Sequence, residues 1–131
     1  MKKIAVFSIF SLIIMMSCTI NKKKILGSYS FKGEYVIDTL IIKNHIFIHK
    51  IYDKNLQLKY EEEGQWTLEN NRITLLKFYN NEDNELEEPL SNEDAKKFLM
   101  ITSFPVYEQK DDIIMEVNAD ENIFYKKIFK K

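Results

Sequence analysis

Between Gln57 and Glu69 the chain alternates almost without fault. Leu58, Tyr60, Gly64, Trp66 and Leu68 fall on one parity, and Gln57, Lys59, Glu61, Glu63, Gln65, Thr67 and Glu69 fall on the other. Successive side chains of a β-strand point to opposite faces, so this period of two describes a strand with one dry and one wet face. Asn70-Asn71 follows at once. Asparagine tolerates positive φ, which suits it to a two-residue hairpin turn. The return strand then sets Leu68 opposite Ile73 and Trp66 opposite Leu75.

The rest of the chain reads the same way. Asn, Asp and Lys clusters break it about every 8–12 residues, the spacing of an all-β sandwich or barrel. Strands are expected over 25–31, 35–42, 45–52, 56–62, 63–69, 72–79, 99–108, 112–117 and 122–129, and the fourth and fifth can be one bent strand. A hairpin with Lys43-Asn44 at its tip pairs Leu40 with Phe47 and Asp38 with His49. Ser91 followed by Asp94 forms a capping-box variant, which predicts a short helix near 92–98. The expected fold is all-β: a single antiparallel up-and-down barrel of eight or nine strands, with an open sandwich as the alternative. Hydrophobic residues at 45% against 30% charged exclude a disordered chain. A formal net charge of −1 gives no field that would attract nucleic acid.

The first residues follow a different logic. Lys2 and Lys3 precede Ile4 to Met16, where only Ser8 and Ser11 are polar. The stretch is too short to span a bilayer, which takes about 20 apolar residues, and reads as a signal peptide over 1–17. It ends in Met15-Met16-Ser17-Cys18, which resembles the lipobox of bacterial lipoproteins, with Met15 where leucine is usual. The resemblance implies cleavage before Cys18 and acylation of its thiol. Two or three acyl chains, at about 0.8 kcal/mol per buried methylene, would hold the protein on a membrane. Residues 18–24 then form a lipidated tether. Its six residues from Thr19 to Lys24 span at most about 20 Å, and Lys22, Lys23 and Lys24 each add about 1 kcal/mol against anionic lipid. No aspartate follows the cysteine. The resemblance therefore implies an outer-membrane lipoprotein facing the periplasm, or the outer side of the cell membrane where there is only one.

Residues 25–131 carry a second likeness. Ile25-Leu26-Gly27-Ser28-Tyr29, the segment from Gly64 to Leu75, and Ile123-Phe124-Tyr125-Lys126-Lys127-Ile128 are similar to the first strand, middle hairpin and last strand of small bacterial lipoproteins with a lipocalin-like barrel. Tyr29 stands where that family has tryptophan. The likeness implies a membrane-tethered binding module for a small apolar or amphipathic ligand.

Few residues fall in the patterns that catalytic chemistry needs. His45 and His49 flank Ile46-Phe47-Ile48, a strand on which they stand roughly 13 Å apart, too far to share a metal. Both are expected to be partly exposed. The lone cysteine belongs to the lipobox and cannot pair within the chain. Three glycines do not build a phosphate cradle. Asn81 to Glu88 offers oxygens to calcium but lacks the mid-loop glycine of an EF-hand. No enzyme, metal or cofactor is expected.

Two groups of residues are candidates for binding. Glu62 and Lys77 sit on the apolar parity near Tyr60 and Trp66, with Glu62 facing Tyr79. Together Tyr60, Glu62, Trp66 and Lys77 would line a ligand cavity with a polar floor, unless the two charged residues reach the rim or the strand bends near Glu62 and resets the parity. The aromatic residues Tyr29, Phe31, Tyr35, Phe47, Tyr60, Trp66, Phe78, Phe124 and Tyr125 are expected chiefly to fill the core. The second group is the acidic run of Glu82, Asp83, Glu85, Glu87, Glu88, Glu93 and Asp94, which no Lys or Arg interrupts. Such a surface suits a basic protein partner, as in an inhibitor or immunity-type protein that blocks a toxin or hydrolase. The lysines at the C-terminus could instead attract it.

Overall fold

A computed structural model describes residues 19–81 and 91–129. The described chain forms a closed barrel of eight strands, each paired with its sequence neighbours and the last with the first. The strands are β1 (Gly27–Lys32), β2 (Val36–Ile42), β3 (Ile46–Asp53), β4 (Leu58–Glu69), β5 (Arg72–Tyr79), β6 (Leu99–Gln109), β7 (Asp112–Asn118) and β8 (Ile123–Ile128). All neighbouring strands run antiparallel. The expected fourth and fifth strands are one, β4, so the up-and-down barrel has eight strands.

Two short helices mark its ends. α1 (Lys22–Ile25) precedes β1, and α2 (Asn92–Lys96) precedes β6. The end at α1, where β2, β4 and β6 finish, is called proximal here, and the end at α2 distal. Ser91 caps α2 as expected, its Oγ accepting from the Asp94 N–H at 3.0 Å. The proximal end is closed by Ile20, counted in the expected tether, and by Ile25 just after it. Ile20 is 4% exposed and Ile25 fully buried, both within the main apolar cluster. The Ile20 N–H donates to Asn71 Oδ1 at 2.9 Å, and the Tyr29 hydroxyl donates to the Ile25 carbonyl at 2.6 Å.

The β4–β5 hairpin has the expected register, with Trp66 opposite Leu75 and Leu68 opposite Ile73. Asn70 and Asn71 take φ of 52° and 57° at its turn. The β2–β3 hairpin differs. Its turn falls one residue later, on Asn44-His45, and Ile42 pairs with Phe47 and Leu40 with His49. The expected register would set Ile42 against polar His45, whereas the observed one joins two core side chains. A shift of two residues keeps every side chain on its face.

The inward residues on β2 and β3 are Val36, Asp38, Leu40, Ile42, Phe47, His49 and Ile51, all buried. Tyr29, Tyr60, Trp66, Phe78 and Tyr125 join them, as expected of core aromatics. Phe31 and Phe124 are half-buried, and Tyr35, on the distal β1–β2 turn, is 49% exposed. The outward face of β4 carries Glu61, Glu63, Gln65, Thr67 and Glu69, all exposed.

Candidate functional site

The four residues expected to line a cavity do not converge on one. Tyr60 is 1% exposed and lies in the distal apolar cluster with Val36, Ile51, Tyr79, Ala95 and Ile123. Trp66 belongs to the proximal cluster, and its indole N–H donates to the Lys43 carbonyl at 2.6 Å. Glu62 is half-buried. Its carboxylate meets Lys96 of α2 at 3.4 Å, at the distal rim rather than on a cavity floor. It does not face Tyr79, because the β4–β5 ladder ends at Trp66 and Leu75.

Lys77 departs furthest from its expected position. It takes φ of 59° within a register shift between Leu75 and Phe78. The extra residue of this bulge resets the parity, so Phe78 turns inward and Lys77 is exposed. Gly64 accounts for the tight geometry beside it. A Cβ there would run into the Leu76 carbonyl oxygen and lie 2.5 Å from the Phe47 ring. With β5 displaced, α2 supports the edge of β4, where the Glu61 N–H donates to the Asn92 side chain at 3.2 Å.

The lumen instead holds a polar cluster of Asp38, His49 and Tyr125, none of which was expected as a site residue. Asp38 is 1% exposed and His49 fully buried, against the expectation of a partly exposed histidine. Asp38 Oδ1 lies 2.7 Å from His49 Nε2 and accepts from the Tyr125 hydroxyl, also at 2.7 Å. Burial first, then the Asp38 charge and hydrogen bond, hold the Tyr125 phenol well above its usual pKa. Tyr60 is likewise pushed up, by burial ahead of Glu62, Tyr79 and Asp38. His49 Nδ1 and the Tyr60 hydroxyl have no hydrogen-bond partner among the described residues. Rings surround the cluster: His49 stacks on Phe78 at 4.6 Å and meets Tyr60 edge-on at 5.4 Å. Further contacts run from Phe47 through Phe78 and Phe104 to Tyr125, and from Tyr60 to Tyr79. The signal available in the sequence was Asp38 and His49 standing on apolar parities of neighbouring strands.

The outer wall has two recesses of note. One, of about 360 Å³, lies over the bulge and is lined by Ile46, Glu63, Gly64, Gln65, Leu76 and Lys77. Another, of about 200 Å³, opens at the proximal end between α1 and the β2–β3 turn. Among the described residues no three His, Cys, Asp or Glu side chains are grouped to hold a metal ion.

Cys18, the expected signal peptide over 1–17 and the acidic residues Glu82, Asp83, Glu85, Glu87 and Glu88 lie outside the described residues, as does most of the stretch from Asn81 to Glu88 weighed for calcium. The anchors of the acidic run are described. Asn81 is 2% exposed after β5, and Ser91 caps α2, so both described flanks of the run stand at the distal end of the barrel. Lys126 and Lys127 lie toward the other end, where Lys126 meets Asp112 at 3.5 Å and Lys127 donates to the Lys24 carbonyl at 2.8 Å. Those contacts leave both lysines engaged away from the anchors of the acidic run.

Fold and site together define a closed eight-stranded up-and-down barrel whose lumen is occupied by its own side chains. In comparisons with known proteins, no family model, curated protein or solved structure matches this chain.

Proposed function

We propose that this protein is a lipid-anchored envelope protein that acts by surface recognition, presenting its acidic 82–94 run to a basic protein partner. The observation that carries this reading is the occupied lumen, where ring contacts join Phe47, Phe78, Phe104 and Tyr125 across the core. A lumen so filled leaves the outer surface for recognition. The densest run of charge in the sequence is the acidic 82–94 stretch, whose described flanks, Asn81 and Ser91, stand at the distal end. Inhibition of a basic toxin or hydrolase fits such a surface, because exposed carboxylates steer a cationic partner and speed its encounter.

The test is capture of solubilised envelope proteins on the immobilised native protein and on a Glu85→Gln, Glu87→Gln, Glu88→Gln variant. The expected result is a basic protein held by the native chain, released by salt and lost in the variant. Equal capture by both removes this reading. Mass spectrometry of the native protein should show residues 1–17 absent and a diacylglycerol on Cys18.

A second reading is binding of a small amphipathic ligand. It is favoured by the recess of about 360 Å³ beside Lys77, within the size range of small-molecule sites. Lys77→Glu should then abolish saturable binding of an anionic, apolar dye, and no change would exclude this recess.

A further inference from the structure

We infer that the proximal end of the barrel is a membrane-docking face, on which an anionic phospholipid surface meets Lys22, Lys23, Ile128 and Phe129. This rests on the lipid-anchor reading of Cys18 and adds to it the orientation of the barrel.

The seating of Ile20 sets the geometry. With its side chain 4% exposed and its N–H held by Asn71 at 2.9 Å, Ile20 is part of the barrel rather than of a loose leash. Only Thr19 separates it from Cys18. Two residues reach at most about 8 Å, compared with about 20 Å for a six-residue tether. An acyl chain on Cys18 therefore brings the proximal end, and no other, against the lipid headgroups.

The surface there suits that contact. β8 finishes at this end, and Ile128 and Phe129 are 49% and 56% exposed. Lys127 stands 5.9 Å over the Phe129 ring and donates to the Lys24 carbonyl, so the apolar pair sits beside α1. Lys24 itself is joined to Glu108, while Lys22 and Lys23 are exposed. Together with Leu26 and the Asn44-His45 turn, those two lysines line the recess of about 200 Å³, which offers ammonium groups beside an apolar wall. Lys43 and Lys110 are also exposed at this end, as are Glu69 and Asp111. With both signs present, the attraction is moderate and depends on salt, and the apolar residues supply the remainder. The opposite end then points from the membrane. With eight residues of tilted β4 between Glu69 at the proximal rim and Glu61, which holds Asn92, the anchors of the acidic run stand roughly 20 Å from the lipid.

The test uses the mature lipidated protein in mixed phosphatidylethanolamine–phosphatidylglycerol vesicles. Single cysteines replace Asn44 or Asp111 at the proximal end, and Asn55 or Asp120 at the distal end, each carrying a nitroxide. On the vesicles, proximal labels should become shielded from an aqueous nickel chelate and open to oxygen, and distal labels should remain as in detergent solution. Lys22→Ala and Lys23→Ala should each lower the docked-to-undocked ratio about fivefold, with a further fall for Phe129→Ser. Equal chelate access at both ends, or shielded distal labels, would overturn the docking face. Mass analysis of the same sample reads the anchor separately. A free Cys18 thiol refutes the anchor, whereas shielding of the Asn44 label in such a sample supports the face by itself.

Discussion

Asp38 Oδ1 and His49 Nε2 lie 2.7 Å apart inside the barrel, with side-chain exposures of 2% and 1%. The two residues are not directly opposite. Asp38 pairs with Ile51 and His49 with Leu40, so the contact is diagonal across β2 and β3. Tyr125 of β8 donates to the same carboxylate oxygen. A buried carboxylate persists only when hydrogen-bonded, and here a histidine and a phenol from two different strands meet that need.

Removing this acceptor should be costly. Asp38→Ala strands the Tyr125 hydroxyl and His49 Nε2 in the core, and should lower stability by about 3–5 kcal/mol. Asp38→Asn retains an acceptor oxygen and should cost less. Urea unfolding followed by circular dichroism measures both. Equal losses would show that the acceptor oxygen retained by asparagine contributes nothing to stability.

The buried phenols make the barrel sensitive to alkali. Tyr29, Tyr60 and Tyr125 are all raised above the ordinary phenol value of 10.0, with burial as the leading cause. Folding thus favours their protonated form. That contribution is intact below pH 10 and is lost as pH climbs toward the folded-state values, because the unfolded chain ionises first. Phenolate absorbance should show these tyrosines titrating together with unfolding. Their ionisation near pH 10 in an intact barrel would contradict the prediction.

Trp66 is the only tryptophan, and it is buried. Trp66→Ala should cost about 3–5 kcal/mol. Trp66→Phe retains most of the apolar contact but strips the Lys43 carbonyl of its donor, and should cost about 1–3 kcal/mol. The native emission should be blue-shifted and resistant to iodide. Red-shifted, quenchable emission would place the indole in water.

Gly64 and Lys77 test the bulge from its two sides. At Gly64 an added Cβ meets the backbone carbonyl of Leu76, which cannot swing aside as a side chain would. Gly64→Ala should destabilise by about 1–3 kcal/mol or more. Lys77 has the opposite problem, since its positive φ costs a non-glycine residue about 1–2 kcal/mol. Lys77→Gly should therefore be neutral or stabilising, and Lys77→Val destabilising. Thermal unfolding of the three variants reads the signs, and a stabilising Lys77→Val would mean that β5 runs straight.

The two hairpins show how far local sequence reaches. The β4–β5 register was legible because Asn70-Asn71 is a strong turn signal between two alternating strands. In the β2–β3 hairpin, Lys43-Asn44 and Asn44-His45 are comparable as local turns. The choice between them falls to Ile42 and Phe47, which pack only once other strands have closed over them. The bulge at Lys77 was hidden for a related reason. Nothing in Leu75-Leu76-Lys77-Phe78-Tyr79 marks which residue is extra, and alternation continued from Ile73 puts Lys77 inside. The candidate lining of Tyr60, Glu62, Trp66 and Lys77 depended on that continuation.

The sequence by itself determined the all-β class, the order of the strands, the parity that points inward on most of them, and the capped turn of helix at Ser91. These follow from short-range sterics: the pleat sends neighbouring side chains to opposite faces, and turn residues relieve particular dihedral angles. Only the tertiary structure decided that Asp38 and His49 are inside, that Lys77 is outside, and that Ile20 closes one end while the acidic run is attached at the other. A charged or polar group enters a core only where distant strands bring it partners, as Tyr125 does for Asp38 from 87 residues away. Those partners do not meet until the barrel closes.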